Sequence, residues 1–292
     1  MEINRIGKPE NMELPFFAYG IFKPGQIAYY SIKNYIQGNP IESNVHHEMK
    51  YRDGIPILCG EKNDVYRTKG YLIKFHNPER AYKRIGKAQV EELYQWKKID
   101  VGGVEANALV GKDMQKGCLD NSQRVLSDYD YRNDSFFVDA RNLIRDCVDE
   151  YREIDELNME DFFNLQMHHM LLWSIIERFC IFKYGYFGMG SNKFNLAREP
   201  MFKNNLKHVG REDTIYSSDK LERYSLDPND YRESIGYYYT IRCNVIHKGK
   251  TVGDDERIKL KKSLEELFAL FESVYKDTLN RNDQELSRLN NY

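Results

Sequence analysis

The sequence has few cysteines, no Cys-x-x-Cys pair and no long apolar run. Its five cysteines are scattered and odd in number (Cys59, Cys118, Cys147, Cys180 and Cys243). This pattern argues against a zinc site or a disulfide framework and favours reduced thiols in the cytoplasm. No segment approaches the ~18 apolar residues that would span a membrane, and the N-terminus lacks the apolar core of a signal peptide. We therefore expect a cytoplasmic protein with no membrane association, no metal and no cofactor.

The chain also lacks a large excess of charge of either sign. Its net charge is −2, with 30% charged residues and a mean hydropathy of −0.70. The whole molecule is not a polycation, so any contact with nucleic acid must come from a local basic patch. A length of 292 residues is enough for two ordinary domains.

The first half of the chain, residues 14–111, has a mixed α/β pattern. The apolar run Leu14–Ile21 ends in Lys23-Pro24-Gly25, which predicts a strand followed by a turn. Helical spacing follows from Ile27 to Ile36. Further strands are predicted at Ile55–Cys59, Tyr71–Phe75, Tyr94–Val101 and Glu105–Val110, with Gly102-Gly103 as the hairpin turn between the last two. The polar stretch 111–133 is the predicted domain linker.

From about residue 134 the apolar period becomes helical. Three long helices are predicted over Phe136–Tyr151, Glu160–Tyr184 (central and buried, with Phe163 and Met167 among its apolar residues) and a C-terminal stripe from Leu260 to Leu279. Residues 185–227, including Gly188 to Lys193, read as loop with a short helix near 198–208. A fourth long helix is expected from Pro228, capped by Asp227, to Lys248, with Gly249 as its stop. The second half is thus predicted to be a helical bundle.

The segment Arg242-Cys243-Asn244-Val245-Ile246-His247 contains residues suited to metal-independent RNA cleavage. That reaction needs a group that titrates near neutral pH and a cation that stabilises charge on the phosphate oxygens. His247 and Arg242 supply these properties, and Asn244 is a candidate to orient either one. Their offset of five residues puts them about 140° apart on a helix, which favours a site built across the two-fold axis of a homodimer.

The neighbouring residues add to this hypothesis. His247 would occupy the last helical turn, where the negative end of the helix dipole favours the protonated imidazole. Lys248 and Lys250 offer positive charge to an RNA phosphate. Tyr239, the last residue of a run of three tyrosines, is a candidate for stacking on an RNA base.

This half, over about residues 134–280, resembles the HEPN superfamily, whose helical domains occur in many prokaryotic RNase toxins and defence effectors. Arg242 and His247 match the two fixed positions of the family motif, near the end of a helix in a four- or five-helix bundle. The following Lys248-Gly249-Lys250 and the earlier stretch 173–178 look like the Apea-like subgroup. In such folds an acidic residue of the buried helix often lies near the arginine, so the resemblance makes Glu177 a candidate partner of Arg242; pairing of Glu177 with Arg178 or Lys183 is the alternative.

The segment Tyr19-Gly20-Ile21-Phe22-Lys23-Pro24-Gly25 resembles the opening of gamma-glutamylcyclotransferase-like domains. In that family the backbone amides after the tyrosine and glycine hold a substrate carboxylate. The resemblance covers residues 14–111 and makes Tyr19, Gly20, Ile21 and Phe22 candidates for binding a small carboxylate ligand. Ile21 replaces the usual Ser or Thr. The glutamate that active cyclotransferases use as general acid and base shortly before the final strand has no counterpart at the expected spacing before Tyr94. We therefore expect a binding or scaffolding domain without cyclotransferase activity.

Together these patterns predict an α+β two-domain protein. Residues 1–115 would form a mixed α/β cyclotransferase-like barrel, 116–133 a linker, and 134–292 an all-α HEPN bundle of four to five helices. The predicted function is a metal-independent endoribonuclease, a toxin or antiviral defence effector that acts on RNA as a homodimer, with other components of a defence or toxin–antitoxin system as partners. One alternative is a non-catalytic RNA- or partner-binding dimerisation module. Another is a gamma-glutamyl cyclotransferase that depends on Glu91 or Glu92.

Overall fold

A computed structural model describes residues 5–52, 55–89, 91–112, 127–185, 189–217, 222–248 and 254–290, with the backbone alone at 189, 246–248, 254 and 290. The chain divides into two compact units. The first, here the sheet unit, comprises Met1–Arg132, Ile181–Tyr186 and Asn280–Tyr292. The second, the helical unit, comprises Asn133–Cys180 and Phe187–Leu279. Most of the predicted linker 116–133 lies outside the described residues.

The sheet unit is built on a mixed sheet that is nearly closed into a barrel. Along the sheet the strand order is β2-β5-β1-β7-β4-β3. Strand β6 stands outside this order and pairs with β7. The β1–β7 and β4–β7 pairs are parallel, whereas the remaining pairs are antiparallel. The strands are β1 (Phe16–Ala18), β2 (Ile41–Val45), β3 (His47–Arg52), β4 (Ile55–Lys62), β5 (Thr68–Ile73), β6 (Tyr94–Val101) and β7 (Val104–Gly111).

An aromatic core fills the space between this sheet and helix α1 (Pro78–Lys87). The side chain of Asn77 caps the helix by accepting from the Arg80 amide, and Pro78 follows at the first helical position. The ring of Tyr82 packs edge-to-face against Phe16, Phe75 and Trp96, with centroids 5.3–6.3 Å apart. Such edge-to-face pairs add to the free energy gained by burying the rings.

The predicted hairpin of the sheet unit is confirmed. Strand β6 has the predicted bounds, and its register with β7 runs from Tyr94 opposite Gly111 to Val101 opposite Val104. Both turn glycines have positive φ, 62° at Gly102 and 87° at Gly103, as a two-residue hairpin turn of this kind requires.

The predicted helix from Ile27 to Ile36 is wrong. The segment forms two 3₁₀ helices instead, Tyr29–Ser31 and Lys33–Tyr35. Apolar residues three and four apart fit either geometry over so short a stretch, and β-branched and aromatic residues do not favour the α-helix. Sequence reasoning also missed β2, β3 and α1, because the two strands carry many polar, partly exposed side chains in place of clean apolar alternation.

The helical unit holds six α-helices and one short hairpin within its described residues. Leu264, Leu267 and Phe271 form the predicted buried stripe of the last helix, and Trp173 and Phe179 of α3 are also buried. The helices are α2 (Ser135–Tyr151), α3 (Met159–Tyr184), α4 (Met189–Ala197), α5 (Pro200–Leu206), α6 (Tyr231–Lys248) and α7 (Asp254–Asn290). The hairpin pairs β8 (Asp213–Tyr216) with β9 (Arg223–Leu226). The last residues of α3 and α7 belong to the sheet unit.

Two features correct the predicted all-α bundle of the second half. The segment 185–227 was expected to be loop with a short helix near 198–208. Helix α5 confirms that short helix, whereas α4 and the β8–β9 hairpin were not predicted. The hairpin strands are four residues long and partly exposed, too short for periodicity to reveal, and they are held by packing: a Cβ at Gly236 of α6 would meet the Tyr224 ring at 2.6 Å. Helix α3 is not buried throughout, since Phe163 and Met167 are 54% and 63% exposed.

Helix α6 begins later than its sequence predicts. Asp227 and Pro228 were expected to cap and start it, but Asp230 is the capping residue: its carboxylate accepts from the Arg232 and Glu233 amides. Asp227 instead closes a turn, accepting from the amide of Asn229. The predicted stop at Gly249 lies outside the described residues. Among the helices described in full, none is both long and apolar enough to cross a membrane.

Candidate active site on helix α6

Helix α6 presents Tyr239 and Arg242, one turn apart, to helices α3 and α4. The Tyr239 ring packs edge-to-face on Trp173 of α3 with centroids 5.3 Å apart. Two cations lie over the same ring: the Arg242 guanidinium carbon at 5.5 Å and the Lys193 Nζ at 4.0 Å from its centroid. Cations over an aromatic face are attracted by its electron density. The Tyr239 ring therefore has two positive charges near it, and cations of this kind can bind an anionic ligand.

A buried histidine lies next to this pair of cations. His169 of α3 is fully buried, and its Nε2 is 3.3 Å from the Ser263 hydroxyl of α7. Burial, and secondarily the positive charge of Arg242, lower the pKa of His169 to about 3. The imidazole is thus neutral at physiological pH. No motif marks His169 in the sequence, because its position near Arg242 depends on how α3 packs against α6.

The group formed by Trp173, His169 and Arg242 has unused hydrogen-bonding capacity. Among the described residues, Trp173 Nε1, His169 Nδ1 and Arg242 Nε are buried nitrogens without a hydrogen-bond partner. Buried polar atoms are normally paired, because an unmade hydrogen bond costs about 1–3 kcal/mol. Three such atoms on neighbouring residues distinguish this part of the helical unit from an ordinary apolar core.

Glu177, the predicted partner of Arg242, lies in the same neighbourhood. It is one of the weaker causes that raise the pKa of Tyr239, after burial and the nearby Cys243. No ion pair between Glu177 and Arg242 occurs in the described part of the chain. The neighbouring Arg178 pairs with Asp134 at 2.6 Å. The structure thus places Glu177 near the ring that Arg242 covers, without direct contact to the guanidinium.

Asn244 lies on another face of α6. Residues two apart on a helix point about 200° away from each other, so Asn244 and Arg242 cannot face the same neighbours. The Asn244 side-chain amide donates to the Tyr216 carbonyl of β8 at 2.9 Å. This contact connects α6 to the β8–β9 hairpin, away from the cations over Tyr239.

His247 and Lys248 belong to α6, so Arg242 and His247 share one helix with the predicted offset. The side chains of His247 and Lys248, and the whole of Lys250, lie outside the described residues. The roles of His247, Lys248 and Lys250 therefore remain predictions from the sequence.

The tyrosine run before Arg242 divides between two roles. Tyr237 and Tyr238 are fully buried, with hydroxyls donating to Asp213 at 2.7 Å and to Glu266 at 3.0 Å, whereas Tyr239 is partly exposed. The Arg211 guanidinium donates hydrogen bonds to both carboxylate oxygens of Glu266, at 2.6 and 2.8 Å. Burial alone would raise the pKa of Asp213, but hydrogen bonds from Tyr237 and Lys259 bring it down to about 2. This network fixes α6 against β8 and α7.

The four predicted ligand-binding residues of the sheet unit are all buried. The Tyr19 hydroxyl donates to the Leu109 carbonyl at 2.6 Å and accepts from the Leu58 amide at 3.1 Å. Gly20 has a positive φ of 55° and packs on Pro56, whose Cγ would lie 2.7 Å from a Cβ at this position. The Phe22 amide donates to the Tyr19 carbonyl. The structure therefore places Tyr19, Gly20, Ile21 and Phe22 in the protein core. Glu91 and Glu92, the residues of the cyclotransferase alternative, are both exposed.

The chain was compared with protein-family models, curated proteins and solved structures, and none of the three comparisons yields a match.

Proposed function

We propose that the helical unit is a metal-independent endoribonuclease of HEPN type that acts as a toxin or antiviral defence effector. The observation that carries the proposal is the setting of Arg242: its guanidinium lies over the Tyr239 ring, which Lys193 also contacts, and it shares one helix with His247. A phosphodiester in transition gains negative charge on its phosphorus oxygens, and closely spaced cations stabilise that charge.

In the proposed reaction the RNA 2′-hydroxyl attacks its own phosphorus and expels the 5′-oxygen of the next nucleotide. His247 residues of the site take the proton from the 2′-hydroxyl and give a proton to the leaving 5′-oxygen, while Arg242 neutralises the developing charge. The products are a 2′,3′-cyclic phosphate and a 5′-hydroxyl. Two copies of the chain supply two Arg242–His247 pairs. The exposed Phe163 and Met167, one turn apart on α3, support self-association because interfaces cover such apolar surface.

The proposal is tested by incubating the full chain with single-stranded RNA in EDTA and measuring cyclic-phosphate ends. Arg242→Ala and His247→Ala are each expected to slow cleavage by at least about 100-fold, the usual contribution of a positioned acid–base or charge-stabilising group. Arg232→Ala and His168→Ala are matched controls, since Arg232 is exposed in the first turn of α6 and His168 precedes His169 on α3. Light scattering should show the same oligomeric state for all variants.

Two outcomes would contradict the proposal. Cleavage that persists unchanged in both Arg242→Ala and His247→Ala would mean that another group carries the reaction. RNA binding without any cyclic-phosphate product would favour the non-catalytic binding module. The sheet unit is proposed to bind a ligand or to act as a scaffold, and release of 5-oxoproline by the purified chain would overturn that part.

A further inference from the structure

An open cleft of about 850 Å³ lies on the sheet unit and has a basic lining. It is bounded by strands β2 and β6, by the first residue of β3 and by the last residues of β4. Four permanent cations line it: Lys62, Arg67, Lys97 and Lys98. The cleft does not include the Tyr19–Phe22 segment, so it is separate from the carboxylate site that the sequence suggested.

Nearby carboxylates balance only part of this positive charge. Asp100 lines the cleft and keeps its negative charge, and its carboxylate accepts from the Gly103 amide at 2.9 Å in the β6–β7 turn. Within the described residues, Arg67 and Lys98 have no carboxylate partner. Because the whole chain carries a net charge of −2, this local excess of cations runs against the overall charge of the molecule.

The remaining cations are held by their neighbours. The Lys97 amino group donates to the Gly60 carbonyl, which keeps its charge at the end of β4. Lys62 lies 3.7 Å from Asp64, an exposed carboxylate that also approaches His46 at 3.8 Å. Asp64 therefore weakens the positive potential at one side of the cleft.

Apolar side chains line the cleft beside the cations. Ile41 and Val104 are 60% and 45% exposed, and Leu72, which lies opposite Ile41 in the β2–β5 pair, also lines the cleft. Exposed apolar residues next to converging charged groups are typical of sites for small organic molecules, which occupy clefts of about 300–1,000 Å³. The lining thus suits a ligand with several negative charges on one side and an uncharged body on the other.

We propose that this cleft binds the phosphate groups of a nucleotide. Arg67 and Lys98 contact the phosphates, since they are the cations without carboxylate partners, and Arg67 offers the forked donors that match a phosphate. The apolar lining receives the sugar or base. The nucleotide is either free or part of an RNA strand, and the two sources share this chemistry. The proposal does not depend on the nuclease proposed for the helical unit.

The test is calorimetric titration of the full chain in EDTA with two probes, ATP and a short 2′-O-methyl oligoribonucleotide that cannot undergo 2′-hydroxyl attack. Arg67→Gln combined with Lys98→Gln is expected to weaken binding of the preferred probe by about tenfold. Lys83→Gln, an exposed lysine of α1 outside the cleft, is the matched control and should bind like the unaltered chain. Tighter binding of ATP identifies the free nucleotide, and tighter binding of the oligomer identifies RNA.

A variant of opposite sign separates loss of charge from loss of folding. Asp64→Asn removes the carboxylate beside Lys62 and should strengthen binding, about two- to threefold, which a damaged fold would not do. Failure of both probes to bind at low salt would overturn the proposal. Binding that the Arg67 and Lys98 substitutions leave unchanged would also overturn it, because the contact would then lie elsewhere.

Discussion

The buried histidine of the helical unit should make that unit sensitive to mild acid. The pKa of His169 is lowered by burial and by Arg242 to about 3 in the folded protein, whereas an unfolded histidine titrates near 6.5. Below about pH 6.5 His169 binds a proton in the unfolded chain but stays neutral in the folded chain. The contribution of His169 to the free energy of unfolding is therefore complete above that pH and is lost progressively as the pH falls toward the folded pKa.

The size of the loss follows from the two pKa values. Between about pH 7 and about pH 5, proton binding to the unfolded form alone lowers the free energy of unfolding by about 2 kcal/mol. This is a large part of the stability of an ordinary domain. His169→Gln, which cannot titrate, should remove most of this loss. The substitution's cost at neutral pH affects both conditions equally and cancels in the difference.

The assay uses the two tryptophans, which fall in different units. Trp173 lies one turn from His169, whereas Trp96 belongs to the sheet unit. In a Trp96→Phe background, urea unfolding followed by fluorescence reports the helical unit alone. Midpoints at the two pH values, with and without His169→Gln, give the pH-dependent difference. His168→Gln is the control, because its ring lies partly exposed beside the Asn164 carbonyl.

One result would refute this reasoning. If the unaltered chain and His169→Gln lose the same stability between the two pH values, His169 is not held neutral by its surroundings. If the loss of stability between the two pH values instead disappears in His168→Gln, the titrating group is His168 and the reasoning about His169 is wrong.

Two further effects follow from buried hydrogen bonds. Hydrogen bonds from the Tyr237 hydroxyl and other donors hold the pKa of Asp213 near 2 although burial raises it. Asp213 should therefore contribute roughly 1–2 kcal/mol to the free energy of unfolding, present above about pH 4 and lost as the pH falls through about 2. Asp213→Asn should make the free energy of unfolding less dependent on pH over that range, and an unchanged pH dependence would contradict this prediction. Tyr19→Phe leaves the Leu58 amide without its acceptor and should lower the free energy of unfolding by about 1–3 kcal/mol, measured by thermal melting against the exposed Tyr216→Phe, whose melting temperature should not move.

The parts of the fold that the sequence predicted are those with strong local signals. The β6–β7 hairpin has two glycines at the turn, and the stripe of α7 repeats its apolar residues over many turns. Strands β2 and β3 escaped prediction because their side chains are mixed in polarity and partly exposed. The β8–β9 hairpin depends on packing against α6, which no local pattern records.

The candidate site shows the same limit. Arg242 was found because it belongs to a short motif within one helix. Lys193 was assigned to a loop, and its position over Tyr239 comes from α4 packing against α6. No motif marks His169, which lies close enough to Arg242 for the charge of Arg242 to lower its pKa. Both relationships join residues far apart in the chain, so only tertiary structure reveals them.

The hydroxyl of Tyr19 joins the backbones of two strands inside the sheet unit, donating to one and accepting from the other. A phenylalanine would strand a buried amide, and a smaller residue would leave a void among packed strands. Folding by itself is thus reason enough for natural selection to retain the aromatic hydroxyl at this position, whatever the domain binds. The tyrosine at this position therefore says nothing by itself about catalytic chemistry, which has to be judged from other residues.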